Sequence, residues 1–371
     1  MTELLHSKSQ QKVENLSAQE ISLIKKEIDL FVEKLENIDT SIAKNKIKDS
    51  RFGVNKSSIL HLATKFGDVT AFEKLIKIIN RDKLILDICD SHDFTPLHLA
   101  AIRGEEKIVE ILLSENCNPN PQASVEKRNW RPIHYAAQFG YVKILQALIN
   151  RGVDFGEKTF FHLTPLIIAA EFGKLDVLDY LIKLGANLNA VTNNENNHMN
   201  ALHYAVIDNH QDCVIHLLKS GIKKNEHTVS GFDALDFAAK IDNIEMLKIL
   251  LQWGVGNVEH ALFVAKENNS FASKVILENY LKIISNLFNK IKLGNLQNKL
   301  IADLKNFNQS NLGEAKINFD FDVSFNAYGI LSLEFKSGLI RKVRKSFKGF
   351  VLENGSFNLA EELENLSKIA K

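Results

Sequence analysis

Four histidines stand in near-identical surroundings: His61 in SILHLAT, His98 in TPLHLAA, His134 in RPIHYAA and His203 in NALHYAV. An imidazole titrates near neutral pH and binds metals, so any of them could act as a general base or a ligand. Recurrence argues against this, because a reaction centre needs its base in one place and not at every step of a ladder. The same slot holds Ile167 in TPLIIAA and Asp236 in DALDFAA. Other chemistry is sparse. Asp320 and Asp322 fall on one face of an alternating segment, and paired carboxylates can do acid–base or metal work; simple amphipathic alternation accounts for them equally well. From residue 261 onward there is no histidine and no cysteine, which removes the usual imidazole base, thiol nucleophile and soft metal ligands. No glycine-rich phosphate loop is present. The expectation is a protein without catalytic residues, metal site or cofactor.

Composition narrows the class further. Of 371 residues, 25% are charged and 45% apolar, as in ordinary globular proteins. Lys and Arg number 46 against 45 Asp and Glu, a formal net charge of +1, so no whole-chain field draws the protein to nucleic acid or membrane. Cys89, Cys117 and Cys213 are an odd number with no short metal-type spacing, which fits a reducing compartment. The opening MTELLHSKSQQK lacks the apolar core of a leader, and no transmembrane run occurs. A cytoplasmic protein is expected.

The elements that would position those histidines repeat. Aligned on Leu60, Leu97, Ile133, Leu166, Leu202 and Leu235, six units recur at intervals of 37, 36, 33, 36 and 33. Three positions after each anchor stands an alanine: Ala63, Ala100, Ala136, Ala169, Ala205 and Ala238. A side chain that small at a fixed slot implies close approach of neighbouring helices. Seven positions on come Gly67, Gly104, Gly140, Gly173, Asn209 and Asp242, residues that tolerate a left-handed backbone and so end the helix. Apolar positions at twelve, fifteen and sixteen, such as Val109, Leu112 and Leu113, give a second helix one greasy face. That helix stops at Asn116, Gly152, Gly185, Gly221 and Gly254, while Ile79 breaks the rule in the first unit.

This pattern resembles the ankyrin repeat family, whose period is about 33 and whose mark is T-P-L-H-x-A. The resemblance covers about residues 51–255. It implies a mostly α solenoid of about six helix-turn-helix units joined by hairpin loops. It also implies a structural role for the histidine column, hydrogen-bonding backbone between units. Thr95 and Thr164 cap the helices, and Pro96 and Pro165 take the first helical position, where a missing N–H costs nothing.

The flanks differ. Residues 1–50 carry a capping box, SAQE, and a heptad-like seam of Ile21, Ile24, Ile28, Phe31, Leu35, Ile38 and Ile42, expected either to cap the array or to dimerise as a coiled coil. The array is placed at 51–270 with a degenerate last unit, VEHALFVAKENN, that lacks the glycine stop. A helical segment at 271–310 follows, and a small α+β region at 311–371. There INFDFDVSF and ILSLEF alternate as strands, and an amphipathic helix closes the chain.

The family resemblance implies a protein partner bound on the concave side. The residue before each cap reads Phe94, Trp130, Leu163, Met199 and Phe232, apolar in all five units and a candidate groove. Arg103, Phe139 and Phe172 would line the adjacent wall, and Phe160 and Phe161, near a hairpin tip, are the strongest candidates for exposed anchors. A basic run, Lys336, Arg341, Lys342, Arg344, Lys345 and Lys348, offers the alternative that the array presents a C-terminal module, an enzyme or a binder of phosphate, lipid headgroups or nucleic acid. No DNA specificity is evident. The tail LAEELENLSKIAK, with Glu361, Glu362 and Glu364 before Ile369, resembles the glutamate block of some bacterial type IV secretion substrates, which implies an effector acting inside a host cell.

Overall fold

The computed structural model describes residues 18–50, 56–292, 321–325 and 331–335, which fall into two compact units divided at Lys223. In the first, helices α1 (Ala18–Glu36) and α2 (Thr40–Asp49) precede five helix pairs. These are α3 (Ile59–Lys65) with α4 (Val69–Ile79), then, after a short α5 (Lys83–Leu86), α6 (Pro96–Arg103) with α7 (Glu106–Ser114). α8 (Pro132–Phe139) with α9 (Val142–Asn150), α10 (Pro165–Glu171) with α11 (Leu175–Lys183), and α12 (Ala201–Ile207) with α13 (Gln211–Lys219) complete them. First helices pack on first helices along the series, and second helices on second helices.

The small-residue column explains how the stack closes. Ala63, Ala100, Ala136, Ala169 and Ala205 have no exposed surface. Each also accepts, at its carbonyl, the N–H of the residue after the left-handed stop, as in Glu105 to Ala100 at 3.0 Å and Tyr141 to Ala136 at 2.9 Å. This six-to-one bond is the Schellman termination. Gly104 shows why glycine is needed there: its φ is +74°, and a Cβ would lie 2.6 Å from the Tyr141 ring of the next pair.

At the amino end, α1 and α2 lie against the first pair, burying Ile28, Val32, Leu35, Ala43 and Ile47. The heptad seam is not one continuous stripe. α1 stops at Glu36, and Asp39 caps α2 by accepting the Ser41 and Ile42 N–H groups, so Ile42 turns outward. The buried spacing of 28, 32 and 35 belongs to one face of α1, packed on the first helix pair.

The second unit holds α14 (Ala234–Lys240) with α15 (Ile244–Gln252), and α16 (Val258–Glu267) with α17 (Phe271–Lys292). α16 packs on α14, and α17 on both α16 and α15, so the helix beginning at Phe271 is the second member of a terminal pair. A stop exists here too: Asn269 has φ +57°, and Ser270 donates to the Ala265 carbonyl at 2.9 Å. Strands β1 (Phe321–Phe325) and β2 (Leu331–Phe335) pair antiparallel with Phe321 opposite Phe335. Asp320, the third strand expected at LIRKV, the basic run and the terminal helix lie outside the described residues.

Candidate functional site

In His61, His98 and His134 both ring nitrogens are engaged. Nδ1 of His61, His98, His134 and His203 accepts the backbone N–H of the cap residue three positions earlier, at 3.2, 3.1, 3.0 and 3.1 Å. Nε2 therefore carries the proton. It donates to the Phe94 carbonyl from His61 at 2.8 Å, to Trp130 from His98 at 3.3 Å, and to Glu157 from His134 at 3.0 Å. Burial pushes the imidazoles of His98 and His134 down to about 3 and about 4, so both are neutral near pH 7. In the second unit Asp236 takes the slot, accepts the Asp233 N–H, and lies 2.9 Å from His260 Nδ1. Arg131 has no acceptor with which to cap α8; its guanidinium instead bonds the Asn120 carbonyl and pairs with Glu157 at 3.3 Å.

The apolar column before the caps has a related task. The carbonyls of Phe94, Trp130, Leu163, Met199 and Phe232 each accept the N–H that closes their own hairpin, from Asp90, Ala123, Thr159, Thr192 and Thr228. Their side chains pack locally: Phe94 and Trp130 both meet the Tyr135 ring, with centroids at 5.9 and 5.0 Å. Trp130 is 8% exposed and Leu163 5%, while Phe94, Met199 and Phe232 are half-buried. The column is thus no continuous open groove, because hairpin and inner helix close over its middle.

Exposed apolar surface lies further out. Phe160 is 44% exposed and Phe172 38%. Phe161, half-buried, meets Phe160 edge-on at 5.2 Å and carries the Arg128 guanidinium 4.7 Å above its ring. Successive hairpins are tied tip to tip: Phe160 donates to the Arg128 carbonyl at 2.9 Å, and Asn193 to that of Phe161 at 3.1 Å. Arg103 is exposed, and Phe139 is half-buried against the Tyr141 ring.

One residue of this face carries no signal in the sequence. Glu171, at the end of α10, has its carboxyl pushed up to about 7, first by burial, then by Asp208, with Arg128 acting in the opposite direction. Its backbone carbonyl accepts from His210 Nε2 at 2.9 Å, beneath a ring that would clash with any Cβ at Gly173. In the unfolded chain this carboxyl titrates near 4.5, so above pH 7 the folded state holds a charge that it disfavours. Glu171→Gln is expected to stabilise the protein by about 1–2 kcal/mol at pH 8, after allowance for solvent screening. Most of that gain should vanish at pH 5, where the folded carboxyl is already protonated. Urea midpoints at the two pH values check it; an equal shift at both would contradict the assignment.

Among the described residues, no cluster of His, Cys, Asp or Glu could hold a metal, and no helix is long and apolar enough to cross a membrane. Stacked helix pairs whose hairpins are linked tip to tip define a solenoid with an extended surface. The chain belongs to the ankyrin repeat family: the family model described as ankyrin repeats (3 copies) matches residues 26–123, 117–192, 133–228 and 166–260. It is similar to mouse B-cell lymphoma 3 protein homolog, 25% identical over 199 residues, 53% of this chain and 43% of that protein. It is also similar to human ankyrin repeat and SOCS box protein 3, 29% identical over 188 residues, 51% of this chain and 35% of that one. Human transient receptor potential cation channel subfamily A member 1 is 30% identical over 96 residues, 26% of this chain and 8% of the channel. The matched region spans less than half the length of each of these relatives.

Proposed function

We propose that this protein is a non-enzymatic scaffold that binds a partner protein through its hairpin tips and the adjoining ends of its inner helices. The observation that carries the reading is the exposure of Phe160 and Phe172, large apolar side chains from the hairpin and inner helix of one repeat. Exposed aromatics set next to fixed polar groups are the usual anchors of interfaces. Phe94, Trp130, Leu163 and Met199 stand at the base of the hairpins of the same unit, Arg103 and Phe139 extend the wall, and Phe232 holds the corresponding place in the second unit. In affinity capture with the full chain, Phe160→Ala with Phe172→Ala should weaken retention of the main partner by about tenfold or more. Stability should change by less than about 0.5 kcal/mol. Capture indifferent to both changes would contradict the reading.

Unpaired Cys89, Cys117 and Cys213 support action in a reducing cytoplasm. Delivery into a host cell is the finer proposal, resting on Glu361, Glu362, Glu364 and Ile369; a translocation reporter that transfers equally well without residues 359–371 would remove it. Binding through Lys336, Arg341, Lys342, Arg344, Lys345 and Lys348 instead predicts loss in modest salt, whereas the aromatic face predicts retention.

A further inference from the structure

Hairpin lengths alternate around the exposed aromatics. The bond from Thr159 to the Leu163 carbonyl encloses residues 160–162, whereas the bonds closing the hairpins on either side, Ala123 to Trp130 and Thr192 to Met199, enclose 124–129 and 193–198. The short tip meets its neighbours near the base of their loops: Phe160 donates to the Arg128 carbonyl at 2.9 Å, and Asn193 to that of Phe161 at 3.1 Å. What remains of each longer loop, including the 3-10 turns Val125–Lys127 and Asn194–Asn196, extends past the short tip. The result is a notch with Phe160, 44% exposed, at its floor.

Arg128 gives the notch a sign. Its half-buried guanidinium lies 4.7 Å above the Phe161 ring, which meets Phe160 edge-on at 5.2 Å. A ring face attracts the cation but offers no oxygen to its five N–H donors. Among the described residues no carboxylate forms an ion pair with Arg128 and no oxygen accepts from its side chain; Glu171, whose carboxyl feels the charge, makes neither contact. The exposed acids of the two rims, Glu126 and Glu195, are solvated and screened, so the half-buried cation dominates at the floor.

We infer that this notch receives an acidic side chain of an extended partner segment, its carboxylate bonded by the Arg128 guanidinium and a neighbouring apolar residue packed on Phe160. Charge complementarity selects an anion, and the planar fork of Arg128 matches a carboxylate through two parallel bonds, which a lysine ammonium cannot do. The inference rests on the partner-binding reading above and names the partner's chemistry.

A random dodecapeptide library selected against the full chain tests it. Enriched peptides should carry aspartate or glutamate beside a large apolar residue. Replacing that acid by its amide, or Arg128 by Gln, should each weaken binding about tenfold, with Arg128→Lys intermediate. The two changes together should cost little more than either alone, because they remove the same contact. Arg128→Glu should recover affinity for peptides in which the acid is replaced by lysine, a rescue that a merely structural arginine would not give. Additive losses, or no rescue, overturn the inference. Inorganic phosphate or an RNA oligonucleotide that displaces the peptide as well as a second acidic peptide does at equal concentration would mark a general anion site, and overturns it too. Peptides indifferent to Arg128→Gln yet lost on Phe160→Ala with Phe172→Ala overturn it and leave the partner-binding reading standing. No enrichment, or enrichment indifferent to Arg128 and to both phenylalanines, overturns both.

Discussion

His98→Ala should lower stability by about 3–5 kcal/mol at pH 7, although the residue touches no ligand. The imidazole is fully buried and bridges two groups that are themselves buried, the Thr95 N–H and the Trp130 carbonyl. Removing it leaves both without that partner, at about 1–3 kcal/mol each, and opens a cavity beside the Phe94 and Tyr135 rings. His98→Asn should recover about half, because the amide oxygen can still cap α6 but cannot reach the next hairpin. Asp236 already does the capping half of this job in the second unit. The penalty depends on pH in a defined direction. The folded imidazole titrates at about 3 and the unfolded one near 6.5, so the contribution of His98 is complete above pH 6.5 and shrinks by about 1.4 kcal/mol per pH unit below it. At pH 4.5 the difference between wild type and His98→Ala should be smaller by about 2–3 kcal/mol, as chemical denaturation would show.

Ala136→Leu should cost about 3 kcal/mol or more. Ala136 has no exposed surface, and α8 is gripped between α6 on one side and α10 on the other, so three added carbons have no free side to enter. Its carbonyl is fixed by the Tyr141 N–H, which limits how far α8 can shift. Ala147→Leu, on the half-buried flank of α9, is the matched control and should change stability by less than about 1 kcal/mol. Similar losses in both variants would mean that the alanine column does not set the spacing of the stack.

Much of this architecture is legible in the sequence because backbone geometry constrains few residue types. A slot that needs φ near +60° accepts glycine, asparagine or aspartate, and every such slot identified in the six units is left-handed, Asn209 and Asp242 included. The same logic extends to Asn269, which a search for glycine alone passes over. The break in the amino-terminal seam was readable in Asp39, an N-cap residue in mid-pattern, but a heptad count averages over it. The candidate face was less legible. Trp130 and Phe160 are both hairpin aromatics in the sequence, but Tyr135, on the inner helix that follows Trp130, covers the first while the second stays open. Glu171 reads as an ordinary surface acid at a helix end. The charges that act on it, Asp208 and Arg128, are more than thirty positions away, a distance that one-dimensional spacing does not register.

The central claim is that the histidines that first looked like chemistry are the stitching of the stack, leaving function to the hairpin and inner-helix face. Long-range nitrogen–proton correlation spectra of the imidazoles test it most directly. His98 and His134 should show a bare Nδ1 and a protonated Nε2 at pH 7, and neither should begin to titrate above about pH 5. Rings that titrate near 6.5, or that carry the proton on Nδ1, would contradict it and return these histidines to the list of candidate bases.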